Sequence, residues 1–383
     1  MGAAVSSRVM LESLVAFDTT SRNSNLELIA FAQEALEKAD ATTRLTYDAD
    51  KRKANLFATL GPAVDGGYVL SGHTDVVPVD GQDWSSNPFK ADVRDGRLYA
   101  RGSADMKGFI AVALALAPEF TKLPLKRPLH FALSFDEEVG CVGVRRLLGD
   151  LAAANIRPAL AVIGEPTEMR VVGAHKAGAV IETTAHGRPA HSSTPAQGAS
   201  AVMMAGEFIA ALASLGNELM TARDAHFDPP YTTLQANVFS GGTAVNVLAP
   251  EARVTWEYRA LPDQDPDAIV ARALAAAEAI LPRYRTGAPN ARFDTTIKSA
   301  YPGLARDLDS PAVRLACALS GSNDVHAVSY GTEAGLFQAA GIPAVICGPG
   351  SIDQGHKADE FVALDQLESC AAFLRKLAHK AAE

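Results

Sequence analysis

The chain has 383 residues, which at about 150 residues per domain predicts two domains and at most three. Hydrophobic residues make up 48% of it and charged residues 21%, the balance of an ordinary globular protein with enough length for a sizeable core. Lys and Arg number 35 against 44 Asp and Glu, a formal net charge of −9; an acidic chain without a Lys/Arg run argues against nucleic acid and anionic membrane surfaces as partners.

Apolar residues at helical spacing predict helices over 7–17 and 26–38. Strands are expected at 56–60 and 68–72 around a Gly-rich turn, then a helix over 105–117, a strand over 129–135, a helix over 144–153 and a short apolar strand at 160–164. This alternation implies an α/β layer with a mixed, largely parallel sheet flanked by helices. The middle changes character. β-like runs at 180–185, 231–239 and 253–260 are interleaved with helices over 199–215 and 267–279, the second with Pro266 suited to its first turn. That β-α-β-β-α-β order matches a ferredoxin-like α+β unit. A break at Gly287-Ala288-Pro289-Asn290 precedes a return to α/β, with helices at 311–320, 333–340 and 364–381 and a strand at 344–347. The expected organisation is therefore an inserted domain, 180–297, within a discontinuous domain formed by 1–179 and 298–383.

The four cysteines, Cys141, Cys317, Cys347 and Cys370, stand far apart and read as reduced, supporting neither a disulfide framework nor a thiolate zinc site. No apolar run reaches the roughly 20 residues of a membrane span. Arg8 followed by a helical pattern does not read as a secretory leader. Residues Met1-Gly2 to Ser6 match an N-myristoylation pattern, which reads better as a frayed start before the first helix. These features point to the cytoplasm.

The chemistry gathers at the ends of predicted strands and in adjoining turns: His73, Asp75, Asp105, Glu137, Glu138 and Glu165, with His356 in the turn after the last strand. In α/β sheets the carboxyl ends of the strands face the ligand crevice. Positions i and i+2 of an extended segment face the same way, so Asp75 can accept the free N–H of His73 and fix its tautomer. Taken singly, each residue has an ordinary explanation: a turn residue at His73 or Asp75, a helix N-cap at Asp105, a solvated turn at Asp136-Glu137-Glu138, a cap or turn at Glu165. Three adjacent carboxylates, however, repel one another unless cations offset them. Neighbours also point apart, which leaves Glu137 and Glu138 free to be a proton carrier and a ligand. Two imidazoles and three carboxylates without a thiolate suit a borderline-hard divalent ion, zinc over magnesium. One bridging carboxylate with two further ligands per ion would make a two-metal hydrolase.

The stretch SGHTDVVPVDGQDWSSNPFKADVRDGRLYARGSADMKGF resembles the di-zinc peptidase and amidohydrolase family that includes acetylornithine deacetylase, succinyl-diaminopimelate desuccinylase, glutamate carboxypeptidases and aminoacylase. The likeness continues in order through DEEVG, IGEPT, HGRPAHSSTPAQG, SGGTAVNVLAP, YRALP, YGTEAGLF and GPGSIDQGHKADEFV. It implies that His73 and Glu165 bind one zinc, that Glu138 and His356 bind the other, and that Asp105 bridges them, with Co2+ a workable substitute. Asp75 would orient His73, and Glu137 would be the general base. His191, on the inserted lid and dimerisation domain, would reach the partner subunit's active site of a homodimer and hydrogen-bond the tetrahedral oxyanion. Asn246 and Arg259 would hold the carboxylate of a small N-acyl amino acid, Asn246 from across the dimer. Within the family the likeness runs towards the acetylornithine deacetylases, through Ala174-His175-Lys176, Tyr330-Gly331-Thr332-Glu333-Ala334 and the run from Gly348 to His356. That implies deacetylation of N2-acetyl-L-ornithine in arginine biosynthesis, with Glu333 either meeting the distal ammonium of the substrate or capping the helix over 333–340.

Other readings are a desuccinylase, another N-acyl-amino-acid deacylase, a metallo-carboxypeptidase or a non-catalytic scaffold. A dinucleotide-binding protein is disfavoured, because no GxGxxG follows the first strand. His130, His186, His226, His326 and His379 read as surface or satisfied core residues, and Trp84 and Trp256 as packing.

Overall fold

The computed structural model describes residues 5–383; Gly2 of the myristoylation pattern lies outside them. The chain divides into two compact units. One comprises the chain up to Ala174 with Arg306–His326 and Thr332–Glu383; the other comprises His175–Ala305 and Ala327–Gly331.

In chain order the first unit builds α1 (Ser7–Val15), α2 (Leu26–Glu37), β1 (Thr42–Tyr47), β2 (Ala54–Leu60), β3 (Tyr68–His73), β4 (Asp92–Arg94), β5 (Arg97–Tyr99), α3 (Lys107–Phe120), β6 (Leu129–Ser134), α4 (Val142–Ala153), β7 (Leu160–Pro166) and β8 (Val171–His175). The insert adds β9 (Ala177–His186), α5 (Ala201–Leu219), β10 (Thr233–Gly241), β11 (Glu251–Ala260), α6 (Pro266–Arg285) and β12 (Arg292–Tyr301). The chain then forms α7 (Pro311–Ser320), β13 (Val325–Val328), α8 (Ala334–Ala339), β14 (Ala344–Gly348), β15 (Phe361–Ala363) and α9 (Leu364–Ala382).

The large sheet runs β1-β2-β6-β3-β7-β14-β8-β13. Its centre is parallel: β3 pairs in parallel with β6 and β7, and β14 with β7. β1 and β2 are antiparallel, as are β2 and β6, and β14 and β8. The four parallel strands therefore end on one rim, which is where the expected site residues cluster. β3, β6 and β7 are buried along their whole length, as strands covered on both faces are. α3 is apolar around nearly its entire circumference and lies against β3, β7, α1 and α9; a helix of that composition is stable only when enclosed.

The second unit has the order β10-β11-β9-β12, antiparallel throughout, with α5 and α6 packed on it. This is the ferredoxin-like arrangement. Its core spans Ile181, Phe208, Trp256 and Leu281. The unit is wider than 180–297, because β9 starts at Ala177 and β12 continues to Tyr301. α5 is long and apolar enough to cross a membrane by length and composition alone, a run that the sequence reading passed over. Its buried residues Ala201, Met204, Ala205, Phe208, Leu212 and Leu215 recur at helical spacing and form the face laid on the sheet.

Candidate metal and catalytic site

His73 is the last residue of β3 and is buried. Its Nδ1 donates to the backbone carbonyl of Asp75 at 2.9 Å. A carbonyl only accepts, so in the neutral ring this bond fixes the proton on Nδ1 and leaves the Nε2 lone pair for a ligand. Nε2 lies 3.0 Å from Asp105 Oδ1 and 3.8 Å from Glu165 Oε1. The atom of Asp75 that meets His73 is its carbonyl; the carboxylate, expected to accept this proton, stays 3.7 Å from Nδ1. The carboxylate instead accepts the backbone N–H groups of Glu137 (3.0 Å) and Glu138 (3.2 Å) and the Ser21 hydroxyl (2.7 Å). It therefore fixes the turn that carries both glutamates.

Asp105 stands two residues before α3 and does not cap it; the N-cap position is Met106. The Asp105 carboxylate faces two histidines, Oδ1 towards His73 and Oδ2 towards His356 Nε2 at 3.2 Å. Glu138 Oε2 lies 3.1 Å from the same His356 nitrogen. Glu165 lies within β7, one residue before its end, rather than after the strand as the sequence suggested, because β7 continues to Pro166. Two groups result, His73–Asp105–Glu165 and Asp105–Glu138–His356, with the ligand atoms of each within 4.8 Å of one another. They share Asp105. The donor set of imidazole nitrogens and carboxylate oxygens fits divalent ions such as zinc or cobalt.

The electrostatics show what the arrangement demands. Burial pushes the Glu138 carboxyl up to about 7, helped by the Asp105 charge. Burial likewise lifts Glu165 and Glu137 well above the carboxylate range. Burial opposes the charged form of Asp105 too, yet hydrogen bonds from His356 and His73 hold it well below its ordinary value. His356 is raised to about 10 by Asp105 and Glu138. Burial lowers His73, but Asp105, Glu165 and Glu137 outweigh it and raise the imidazole well above its ordinary value. Carboxylates crowded in a low-dielectric pocket are the environment that bound cations relieve.

Glu137 belongs to neither ligand group. Its Oε1 accepts the Cys141 thiol at 3.3 Å. Glu333 immediately precedes α8 but makes no capping bond. It is 1% exposed, held by the hydroxyls of Ser134 (2.5 Å) and Ser71 (3.3 Å), and burial raises its carboxyl to about 7. Glu333 occupies the N-cap position of α8, but its side chain is held by the serines of β3 and β6 rather than by its own helix.

The remaining candidates lie in the second unit. His191 and Asn246 sit on paired segments, with a bridge between His191 and Val247 and the Ser192 N–H donating to the Asn246 carbonyl at 3.0 Å. His191 is exposed, and its Nδ1 accepts the Ser193 backbone N–H at 3.2 Å. Arg259 on β11 contacts the Tyr301 hydroxyl and lies 3.2 Å from Glu257 Oε2. Among the other histidines, His130 is a satisfied core residue between Thr59 and the Gly66 carbonyl. Trp256 is buried core, whereas Trp84 hydrogen-bonds Gln82. Sequence reasoning missed Arg101, Gln82 and Glu360, which bond to the segments bearing Asp105 and His356; Glu360 was visible only as a second acid four residues after His356.

The model of peptidase family M20/M25/M40 matches residues 69–380. An acetylornithine deacetylase of Myxococcus xanthus is 37% identical over 379 residues, 97% of each chain. One of Proteus mirabilis is 33% identical over 370 residues, 95% of this chain and 92% of that one. Among solved structures, a tripeptidase of Staphylococcus aureus superposes with a TM-score of 0.77 at 20% identity, covering 99% of this chain and 100% of that one. An M20 family metallo-carboxypeptidase of Sulfolobus solfataricus has the same TM-score at 17% identity over 99% of both chains. With a family match over most of its length and full-length relatives above 30% identity, the chain belongs to peptidase family M20/M25/M40.

Proposed function

We propose that this hydrolase cleaves the amide bond of N2-acetyl-L-ornithine to give L-ornithine and acetate, using two divalent cations, zinc or cobalt. His73 and Glu165 would hold one ion, Glu138 and His356 the other, and Asp105 both. The observation that carries the reading is the shared Asp105 carboxylate between two histidine-bearing groups, with Glu137 beside them and outside both. The choice of substrate is supported by the acetylornithine deacetylases aligned with nearly the whole chain.

When bound, such an ion pair polarises the amide carbonyl and acidifies a water molecule. The chain's own groups supply the rest. Glu137, whose burial favours the protonated form, takes the proton of the attacking water and delivers it to the departing amine nitrogen. The Ser193 N–H at His191 Nδ1 leaves the neutral ring's proton on Nε2, so His191 can donate to the developing oxyanion. Arg259 offers a guanidinium fork for the substrate carboxylate, and Asn246 would reach the same carboxylate from across the dimer. Glu333 would answer the distal ammonium of the substrate. The reading also carries a homodimer through the insert, a cytoplasmic location and a place in arginine biosynthesis.

The test is hydrolysis of N-acetylornithine against succinyl-diaminopimelate and neutral N-acetyl amino acids, with zinc or cobalt added. N-acetylornithine should give the highest kcat/KM. A higher value for the succinyl substrate overturns the substrate assignment, and the absence of metal-dependent turnover on all of them overturns the enzyme.

A further inference from the structure

Asp105 and His356 are far apart in sequence, yet one buried network reaches both. Arg101 and Glu360 are each 1% exposed, and Arg101 Nη1 donates to Glu360 Oε2 at 2.6 Å. The other oxygen of Glu360, Oε1, accepts the backbone N–H groups of Ala104 at 2.9 Å and Asp105 at 3.1 Å. Arg101 Nη2 donates to Gln82 Oε1 at 2.5 Å, and Gln82 Nε2 donates to the His356 carbonyl at 3.0 Å. Trp84 secures the amide from the other side: its Nε1–H donates to Gln82 Oε1 at 3.0 Å, and its ring lies 5.1 Å from the Arg101 guanidinium. The same loop holds the turn after His356 a second time, through the Ser85 N–H and hydroxyl on Asp359 Oδ1, each at 2.9 Å.

The backbone gives this network something to hold. His356 has φ +63° and Asp359 φ +55°, a left-handed conformation that a side chain other than glycine keeps only when its surroundings impose it. A buried ion pair adds little net stability, because desolvation cancels most of the attraction. What it can do is fix geometry, and a ligand pair must be held within a fraction of an ångström to grip an ion.

We propose that Arg101, Glu360 and Gln82 form a brace that sets Asp105 and His356 at the spacing needed to share one ion. They are positioning residues: none of the three belongs to a ligand group, Glu360 and Gln82 act through the backbone of Asp105 and His356, and Arg101 ties the two together. The inference rests on the metal-centre reading above. It also makes the effects of two substitutions differ. Gln82 touches only the His356 side, so Gln82→Ala weakens one ion. Glu360 holds the shared Asp105, so Glu360→Gln, which sets an amide NH2 against Arg101, weakens both.

The experiment is calorimetric titration of the metal-free chain with Zn2+, paired with the visible absorption of the Co2+ form and with thermal unfolding of the metal-free protein. Gln82→Ala should lower the affinity of one equivalent about 10- to 100-fold, the range for groups behind a ligand. It should change the Co2+ spectrum and leave the other equivalent as in the wild type. Glu360→Gln should lower both equivalents. Gln82 is half-buried and outside the core, so its variant keeps the test decisive if Glu360→Gln does not fold. Two equivalents binding to Gln82→Ala within two-fold of wild type, with an unchanged spectrum, overturn the brace alone. A wild-type chain that takes up fewer than two ions overturns the metal-centre reading and the brace with it.

Discussion

Asp105 presents Oδ2 to His356 Nε2 at 3.2 Å while keeping its other oxygen on His73. One carboxylate between two histidines makes the two ligand groups unequal in what they depend on. Removing His356 deprives only the Asp105–Glu138 group, so His356→Ala should weaken one equivalent of zinc about 10- to 100-fold or more and spare the other. Asp105→Asn should weaken both. Metal titration followed by stoichiometry on desalted protein checks this, and equal loss of both equivalents in His356→Ala would refute the shared-ligand arrangement.

Glu137 lies outside both groups and is held by the Cys141 thiol and by its own backbone bond to Asp75. Glu137→Gln preserves the shape of the side chain and removes its basicity. It should bind both ions as the wild type does and lose about 10²- to 10⁴-fold in kcat, the usual contribution of a positioned base. Full turnover with metal bound would remove Glu137 from the proton path.

The open edge of the second unit offers a separate test. Among the described residues β10 pairs only with β11, and Val238 and Phe239 on it are 60% and 47% exposed. An unpaired strand edge with apolar side chains is a template for a second strand. The expectation is a dimer through this edge, dissociated by Phe239→Glu. Sedimentation velocity decides: a wild-type chain that runs as a monomer at micromolar concentration excludes the homodimer.

What the sequence made legible was the type of the helices and of the long apolar strands, and the convergence of the strand ends; β1, β4, β5, β8, β12, β13 and β15 were not read. The strand ends at His73, Glu165 and the turn at Glu137-Glu138 could be placed because long apolar runs mark the central parallel strands, and parallel strands bring their carboxyl ends together. β1 stayed hidden because Thr42–Tyr47 carries little apolar signal and is largely exposed or half-buried. The acceptor used by His73 stayed hidden for another reason: period-two spacing says that Asp75 faces the same way, not whether its carbonyl or carboxylate is nearer. The Arg101–Glu360–Gln82 network has no local signal, since its members bond across long sequence separations.

Gly164 shows how close packing supports the site. A Cβ built there would stand 1.9 Å from Phe109 Cγ on α3, and Glu165 is the next residue. Gly164→Ala must displace α3 or β7, and overpacking of this kind costs about 1–3 kcal/mol or more. The shift also moves elements flanking Asp105 and Glu165. A lower urea midpoint together with weaker zinc binding is expected. Phe109→Leu in the same chain should recover part of both, because the two residues share one clash. An unchanged midpoint for Gly164→Ala alone would show that the helix yields freely.

His175 gives the pH dependence a definite sign. It is fully buried, and its Nδ1 donates to the Lys176 carbonyl at 2.9 Å. Burial lowers its pKa from 6.5 to about 4. Above 6.5 the imidazole is neutral in both folded and unfolded chains and contributes no pH dependence. Between 6.5 and about 4 the unfolded chain takes up a proton that the folded chain refuses, so stability falls as pH falls. The full difference is about 3–4 kcal/mol at roughly 1.4 kcal/mol per unit. His130 is lowered by burial as well and adds in the same direction. The His175 contribution, read as the wild-type urea midpoint minus that of His175→Asn in the metal-free protein, should therefore drop across this window and level off above 6.5; the difference is needed because Glu138 and Glu333, raised by burial to about 7, act with the opposite sign. His175→Asn, which has no proton to gain, should lower stability at pH 7 and remove this contribution. Wild type and variant with parallel slopes from 6.5 down to about 4 would show that His175 is charged in the fold or opens to solvent before the rest unfolds.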